Sequence, residues 1–301
     1  MLPLQSPPAL VAQLPRQELL AEDLAFDPAT GRWFVSSVHR RRILTRAPGR
    51  PWRTFAEGPC GLLALGLDAP RRRLWAAWAG LPQVEGLTAA EAGRTGLVAF
   101  DLDSGREVAR IALEGDGHVL GDLTVGPDGT IYASDNRGGG LYRLRPGAST
   151  LEALAPPRTF RSPQTPALLE GVGLEGALLV PDYSRGLALL PLAGGPPRWL
   201  EAPPGVDLRG IDGLVAEGDR IYAVQNGAAP NRILRLRLGP DRAVASVEVL
   251  LRLPEATHLL LRAGRLWILA DNGWDRYTPQ GALRPDRPPE PAPRILALRL
   301  P

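Results

Sequence analysis

The stretch "GIDGLVAEGDRIYAVQNG", residues 210–227, alternates in the manner of a β-hairpin, with Leu214 on one strand and Ile221 and Ala223 on the next. Asp212 opens the first strand, and Gln225-Asn226-Gly227 closes the second. In an antiparallel pair these two ends lie side by side. The pattern therefore gathers a carboxylate and two amides at one end of the hairpin.

The hairpin recurs along the chain. Its second strand opens on a bulky apolar residue at Trp33, Leu74, Ile131, Leu178, Ile221 and Leu266, giving spacings of 41, 57, 47, 43 and 45. A near-constant period in this range marks a repeat architecture. Third strands follow in "RILTRA", "GLVAFDL", "GLYRLRP", "GLALLPL", "RILRLRL" and "RILALRL". Fourth strands follow in "WRTFAEG", "EVARIAL", "TLEALAP", "RWLEAP" and "SVEVLLRL", which leaves the sixth unit one strand short. The unused strand-like stretch is "PALVAQL", residues 8–14. The expectation is all-β: a single six-bladed β-propeller over residues 1–301, with four-stranded antiparallel blades and the last blade closed by the N-terminal strand. A pair of stacked sandwiches would not explain a unit that ends beside the C-terminus and is completed from the N-terminus. Only "LTAAEAGR" offers one or two helical turns.

Composition narrows the function classes. The 301 residues include 34 Gly and 32 Pro scattered as turn punctuation, with a formal charge of only +3. All 35 basic residues are Arg, and no stretch concentrates them with aromatics, which argues against nucleic-acid binding. One cysteine, Cys60, excludes an intrachain disulfide and reads as a buried structural thiol. No apolar run is long enough for a transmembrane helix, so no membrane partner is expected. The N-terminus lacks the basic and apolar regions of a signal peptide. A cytoplasmic monomer is expected; a periplasmic or secreted chain that had lost its signal would look the same.

Radial repetition puts the starts of first strands and the ends of second strands on one face. First-strand starts give Glu22-Asp23, Gly121-Asp122, Gln164-Thr165, Ile211-Asp212 and Thr257-His258; only "CGLLALG" in blade two starts apolar. Second-strand ends give Ser36, Ser37 and His39, then Asp135-Asn136, Asp182-Tyr183, Gln225-Asn226 and Asp271-Asn272. His118 lies on the connection into blade three. Oxygen donors converging on the central channel suit Ca²⁺, whereas the lack of Cys and of paired histidines speaks against zinc. Asp135, Asn136, Asp182, Asp271 and Asn272 also sit in good turn sequences, where such residues cap their own backbone. The insertion at residues 79–95, between the second and third strands of blade two, is expected over the same face as a rim or lid, or simply packed on a neighbouring blade.

The motifs "EDLAFDPATGRWFVSS", "GDLTVGPDGTIYASD", "SPQTPALL…LLVPDYSRG" and "GIDGLVAEGDRIYAVQNG" resemble the senescence-marker/gluconolactonase/regucalcin superfamily of six-bladed propellers. The resemblance implies a divalent metal, usually Ca²⁺, held in the channel by a Glu, one or two Asn and an Asp, where it polarises a lactone carbonyl. Carried over by motif, the metal residues are Glu22, Asp212, Gln164 at an Asn position, and Asp122 beside Gly121 at the other Asn position. The family's opening Glu-Gly-Pro is Glu22-Asp23-Leu24 here. The function implied is a metal-dependent lactone or ester hydrolase with Asp212, His118 or His258 as general base. Asn226, Asp182, Tyr183, Asp135 and Asn272 would line its small-molecule pocket. The alternative is a non-catalytic propeller that binds a small molecule or a protein on the same face.

Overall fold

In the computed structural model the described residues are 7–15, 20–169, 176–239, 243–286 and 291–300. They form six four-stranded sheets. Blade one runs through Ala21–Asp27, Arg32–Ser37, Arg42–Arg46 and Arg53–Glu57, and blades two to five repeat this up-and-down order. Blade six holds Leu259–Arg262, Arg265–Ala270 and Arg294–Arg299, and its outer strand is Ala9–Gln13 from the N-terminus. Ala9 pairs with Ala297 and Gln13 with Arg294. The split blade read from the sequence is therefore present, and the ring closes through it. Residues 80–94 are turns and bends rather than helix, and a short 3₁₀ turn at Trp274–Arg276 is the helical segment among the described residues.

Alternation along each strand sends side chains to the two neighbouring blades in turn. The buried apolar residues accordingly fall into six clusters, one at each seam. Leu214, Ile221 and Ala223 of the opening hairpin meet Leu179 and Leu189 between blades four and five. Tyr222 and Val224, one residue out of phase, meet Leu259 and Ile268 between blades five and six. Ala12 and Leu14 complete the seam between blades six and one with Leu24, Val35 and Ile295. Cys60 is fully buried in the seam between blades one and two, where burial raises its thiol pKa.

The first strands do not run straight. Pairing with the second strand slips between Ala21 and Leu24, Leu62 and Leu65, Leu120 and Asp122, and Ile211 and Leu214. A bulge inserts extra residues and re-aims their side chains. In blades one and five the residues it re-aims are Glu22-Asp23 and Asp212-Gly213.

Candidate functional site

The bulges open onto a chamber of about 460 Å³ at the polar mouth of the channel. Glu22, Gln164, Asp212, Asn226, Tyr183 and Asn272 line it. Asn136, Ser162, Asn231, Glu255, Thr257, Trp274 and Asp275 complete the wall. Asp212 is buried, and its Oδ2 accepts a 2.6 Å bond from Asn226 Nδ2. The Tyr183 hydroxyl donates to Asn226 Oδ1 at 2.9 Å, which fixes the amide orientation. Glu22 Oε2 accepts a 2.5 Å bond from the Trp274 indole N–H. Glu22 Oε1 and Asp212 Oδ1 carry no hydrogen bond among the described residues.

Gly213 explains how blade six comes close to Asp212. Its N–H bonds Thr257 O at 3.2 Å, and a Cβ there would lie 2.5 Å from that oxygen. Gly121 has a matching role in blade three. A Cβ at this position would lie 2.3 Å from Asn136 Nδ2, so the Asn136 amide occupies the space a side chain would take. Asn136 Nδ2 then donates to Asp122 Oδ2 and to Gln164 Oε1, both at 3.0 Å. The amide that the sequence lacks at the start of blade three is thus supplied from the end of its second strand. Asp135 pairs with Leu120 beside the bulge, which brings the next residue, Asn136, against Gly121.

Beneath the chamber lies a buried ionic layer. His258 Nε2 is 2.8 Å from Asp122 Oδ1 and 3.0 Å from Thr165 Oγ1, and Thr165 donates to the same Asp122 oxygen at 2.9 Å. Asp23 accepts the N–H groups of Leu24 and Leu65, tying blade one to blade two. Desolvation by burial and the nearby Asp212 push Glu22 up to about 8. Desolvation and Asp122 push Asp212 up to about 7, against the opposing field of His258. Burial disfavours charge on His258, but Asp23, Asp122 and Asp212 outweigh it and hold the imidazolium well above its ordinary value. Tyr183 is pushed up to about 12 by burial and by Asp212, so it stays a donor.

These directions fix the pH dependence of stability. Glu22, Asp212 and His258 all bind protons more tightly folded than unfolded, so each favours the fold fully below its unfolded pKa. That contribution fades as pH rises through the folded value. The melting temperature of metal-free protein is expected to fall from about pH 5 to about pH 9. A melting series in chelator checks this, and a flat or rising profile would contradict it.

Several sequence-derived residues lie elsewhere. His118 is not in the chamber: its Nδ1 bonds Asp135 Oδ2 at 2.5 Å, and the ring stacks edge-on against Tyr142. Asp135 also accepts the N–H groups of Val119 and Gly138, so it caps the blade-three turn. Asp182 takes the N–H groups of Arg161 and Ser184, again a turn cap. His258 and Asp122 are committed to each other and line no part of the chamber. The roles of His118 and His258 as base, of Asp135 and Asp182 as pocket residues, and of Asp122 as a metal donor do not match these positions. Short side chains next to turns bond their own backbone N–H groups first. The blade-two insertion is seated on blade one through Glu85 N–H to His39 O and an Arg40–Glu85 ion pair, and on the segment after Trp274 through Gln83 to Thr278 O. None of its residues lines the chamber.

Asn272, Trp274 and Asp275, which follow the second strand of blade six, line the chamber instead. The long gap between "RLWILA" and "RILALRL" was the available signal. Among the described residues, no three His, Cys, Asp or Glu side chains are grouped as a metal cage. Of the carboxylates on the wall, Glu22 and Asp212 each keep one oxygen without a hydrogen bond among the described residues, with the amides of Asn226 and Gln164 on the same wall. A hard, oxygen-seeking cation fits such a set with waters in its remaining positions.

Fold and site define a six-bladed propeller with an acidic chamber at one mouth of its channel. Solved structures share the fold. One is a Thermus thermophilus oxidoreductase described as a glucose dehydrogenase (21% identity, 97% of this chain and 99% of that one, TM-score 0.65). Another is a PQQ-bound aldose sugar dehydrogenase from Streptomyces coelicolor (16% identity, 99% of each chain, TM-score 0.65). A third is a gluconolactonase from Xanthomonas campestris (16% identity, 98% and 95%, TM-score 0.63). No protein-family model and no curated protein matches the chain. Among the described residues, no helix is long and apolar enough to cross a membrane.

Proposed function

We propose that the chain is a hydrolase of lactones or related esters, acting in the chamber on a divalent cation, with calcium the best match to oxygen-only donors. The observation that carries this reading is the pair Glu22 and Asp212. Both are set on bulges, both have raised pKa values, and each keeps one oxygen unbonded toward a shared chamber. Burying two adjacent carboxylates is costly unless a proton or a cation neutralises them. Glu22 and Asp212 would hold the cation, with the Gln164 amide on the same wall to assist. When bound, it would polarise the ester carbonyl.

The chain's own groups account for the remaining needs. Asp212, held by Asn226 and facing the chamber, is the carboxylate placed to take a proton from water and return it to the leaving alkoxide. Asn226 and Tyr183 fix the Asp212 carboxylate, and Trp274 fixes that of Glu22. The wall of amides and hydroxyls, with the Trp274 indole, suits a small polyhydroxylated molecule. A sugar-oxidising reading through the quinone of the Streptomyces neighbour does not fit. PQQ is a polycarboxylate, and this chamber is lined by Glu22, Asp212, Glu255 and Asp275, with no basic residue among the described residues of its wall.

The test is calorimetric titration of chelator-treated protein with Ca²⁺, Mg²⁺, Mn²⁺ and Zn²⁺, followed by acid release from aldonolactones and aliphatic lactones in a pH-stat. One-to-one Ca²⁺ binding with calcium-dependent lactone opening is expected. Absence of both would overturn the reading in favour of a non-catalytic binding propeller.

A further inference from the structure

Glu22 and Asp212 stand on blades one and five, which are not neighbours. Blade six lies between them and shares a buried seam with each. Two carboxylates that hold one cation must bring their oxygens within about 2.3–2.6 Å of a single point. The span across blade six therefore has to be fixed.

The start of blade six crosses that span with three consecutive residues of "EATHLLL": Ala256, Thr257 and His258. Ala256 O accepts a 3.0 Å bond from Asn226 Nδ2, the same amide nitrogen that holds Asp212 Oδ2. Thr257 O accepts the N–H of Gly213, the residue after Asp212, at 3.2 Å. Toward the other side, the Thr257 hydroxyl donates to the backbone carbonyl of Glu22 at 2.7 Å. His258 anchors the trio through Asp122 of blade three and Thr165 ahead of the blade-four strands. All three residues are buried. Thr257 alone bonds to both bulges, and it lines the chamber between them. Its branched Cβ restricts χ1, so the backbone that meets Gly213 also aims the hydroxyl at Glu22.

We infer that Thr257 is a positioning residue for the carboxylate pair, its carbonyl fixing the bulge of Asp212 and its hydroxyl the bulge of Glu22, so that together they set the spacing of the two acids across blade six. The functional weight of this spacing rests on the reaction proposed above; the spacing itself exists without metal or substrate. Loss of the hydroxyl releases the blade-one bulge, and the Glu22 carboxylate moves relative to both Asp212 and Trp274.

The indole N–H of Trp274 bonds Glu22 directly and serves as the reporter. Uniform ¹⁵N labelling gives one indole signal for each of the seven tryptophans, and Trp274→Phe identifies the one at Glu22. In the chelator-treated full chain, Thr257→Val is expected to move the Trp274 signal and leave that of Trp199, in blade four, in place. Thr257→Ser, which keeps the hydroxyl, is expected to restore the wild-type signal. Calcium affinity by calorimetry is expected to follow the same order, weaker by about tenfold in Thr257→Val, as for one lost hydrogen bond, and recovered in Thr257→Ser. If Thr257→Val does not fold, Thr257→Ala removes the same hydroxyl and takes its place. An unmoved Trp274 signal in the variant without the hydroxyl, or an equal displacement in Thr257→Ser, overturns the inference. The expected indole pattern in a chain that binds no calcium overturns the proposed reaction instead and leaves the positioning role standing.

Discussion

Glu22→Gln is expected to reduce lactone hydrolysis by about 10²–10⁴-fold, the range for losing a principal catalytic carboxylate, and to abolish calcium binding. Asp212→Asn is expected to do the same. Both substitutions keep volume and hydrogen-bonding capacity while removing a charge that burial makes unfavourable. The metal-free variants should therefore melt at higher temperature than the wild type above about pH 7, where Glu22 and Asp212 ionise in the folded chain. That opposite movement of stability and activity distinguishes a functional carboxylate pair from a structural one, because loss of a structural pair would lower both. Trp274→Phe gives a graded control. Its N–H stabilises the ionised form of Glu22, so removing it raises the Glu22 pKa further. The activity onset should move to higher pH, with a loss on the order of tenfold, comparable to one hydrogen bond to a charged group. Unchanged calcium affinity in Glu22→Gln and Asp212→Asn would place any metal outside this pair.

Much of this was legible in the chain because a propeller writes its geometry in a short period. The recurrence of "GRWFVSS", "DRIYAVQ" and their counterparts fixes blade number, strand direction and the polar face together. Glu22, Gln164 and Asp212 follow from that face without knowledge of any contact. What escaped depends on pairs distant in sequence. Trp274 reaches Glu22 across 252 positions, and His258 reaches Asp122 across 136. No local periodicity encodes those contacts, since they arise from the angle between blades. Gly121 taught the converse. A missing side chain in the sequence is replaced in space by Asn136, whose own position read as an ordinary turn. The histidines show the same limit. All three lie toward the polar face, but an imidazole beside a buried aspartate is consumed by it, as at His118–Asp135 and His258–Asp122. Placement on a face does not establish that a side chain opens into the chamber.

Deleting residues 1–15 is expected to leave the ring unable to close, with the chain largely aggregated at ambient temperature. The strand Ala9–Gln13 gives blade six its outer edge, and Leu14 N–H bonds Pro293 O at 2.8 Å. Ala12 and Leu14 are 5% and 3% exposed within the seam between blades six and one. Loss of the buried leucine alone is worth roughly 2–5 kcal/mol. Each ladder hydrogen bond adds roughly 0.5–1.5 kcal/mol. The sum approaches the whole stability of an ordinary domain, about 5–15 kcal/mol. The deletion also bares Arg294–Arg299 as an unpaired edge, which invites pairing with another chain. Because the pairing is antiparallel, Ala9 lies opposite Ala297, close to where the last described strand ends. Moving residues 7–15 to follow residue 300 through a short glycine linker would therefore rebuild the sheet as a simple hairpin. That permuted chain should be monomeric by size-exclusion chromatography and melt within a few degrees of the wild type, since a shift of about 1 kcal/mol moves a domain of this size by only about 2–4 °C. A soluble, cooperatively melting deletion variant would show instead that the other five seams hold the ring without the closing strand.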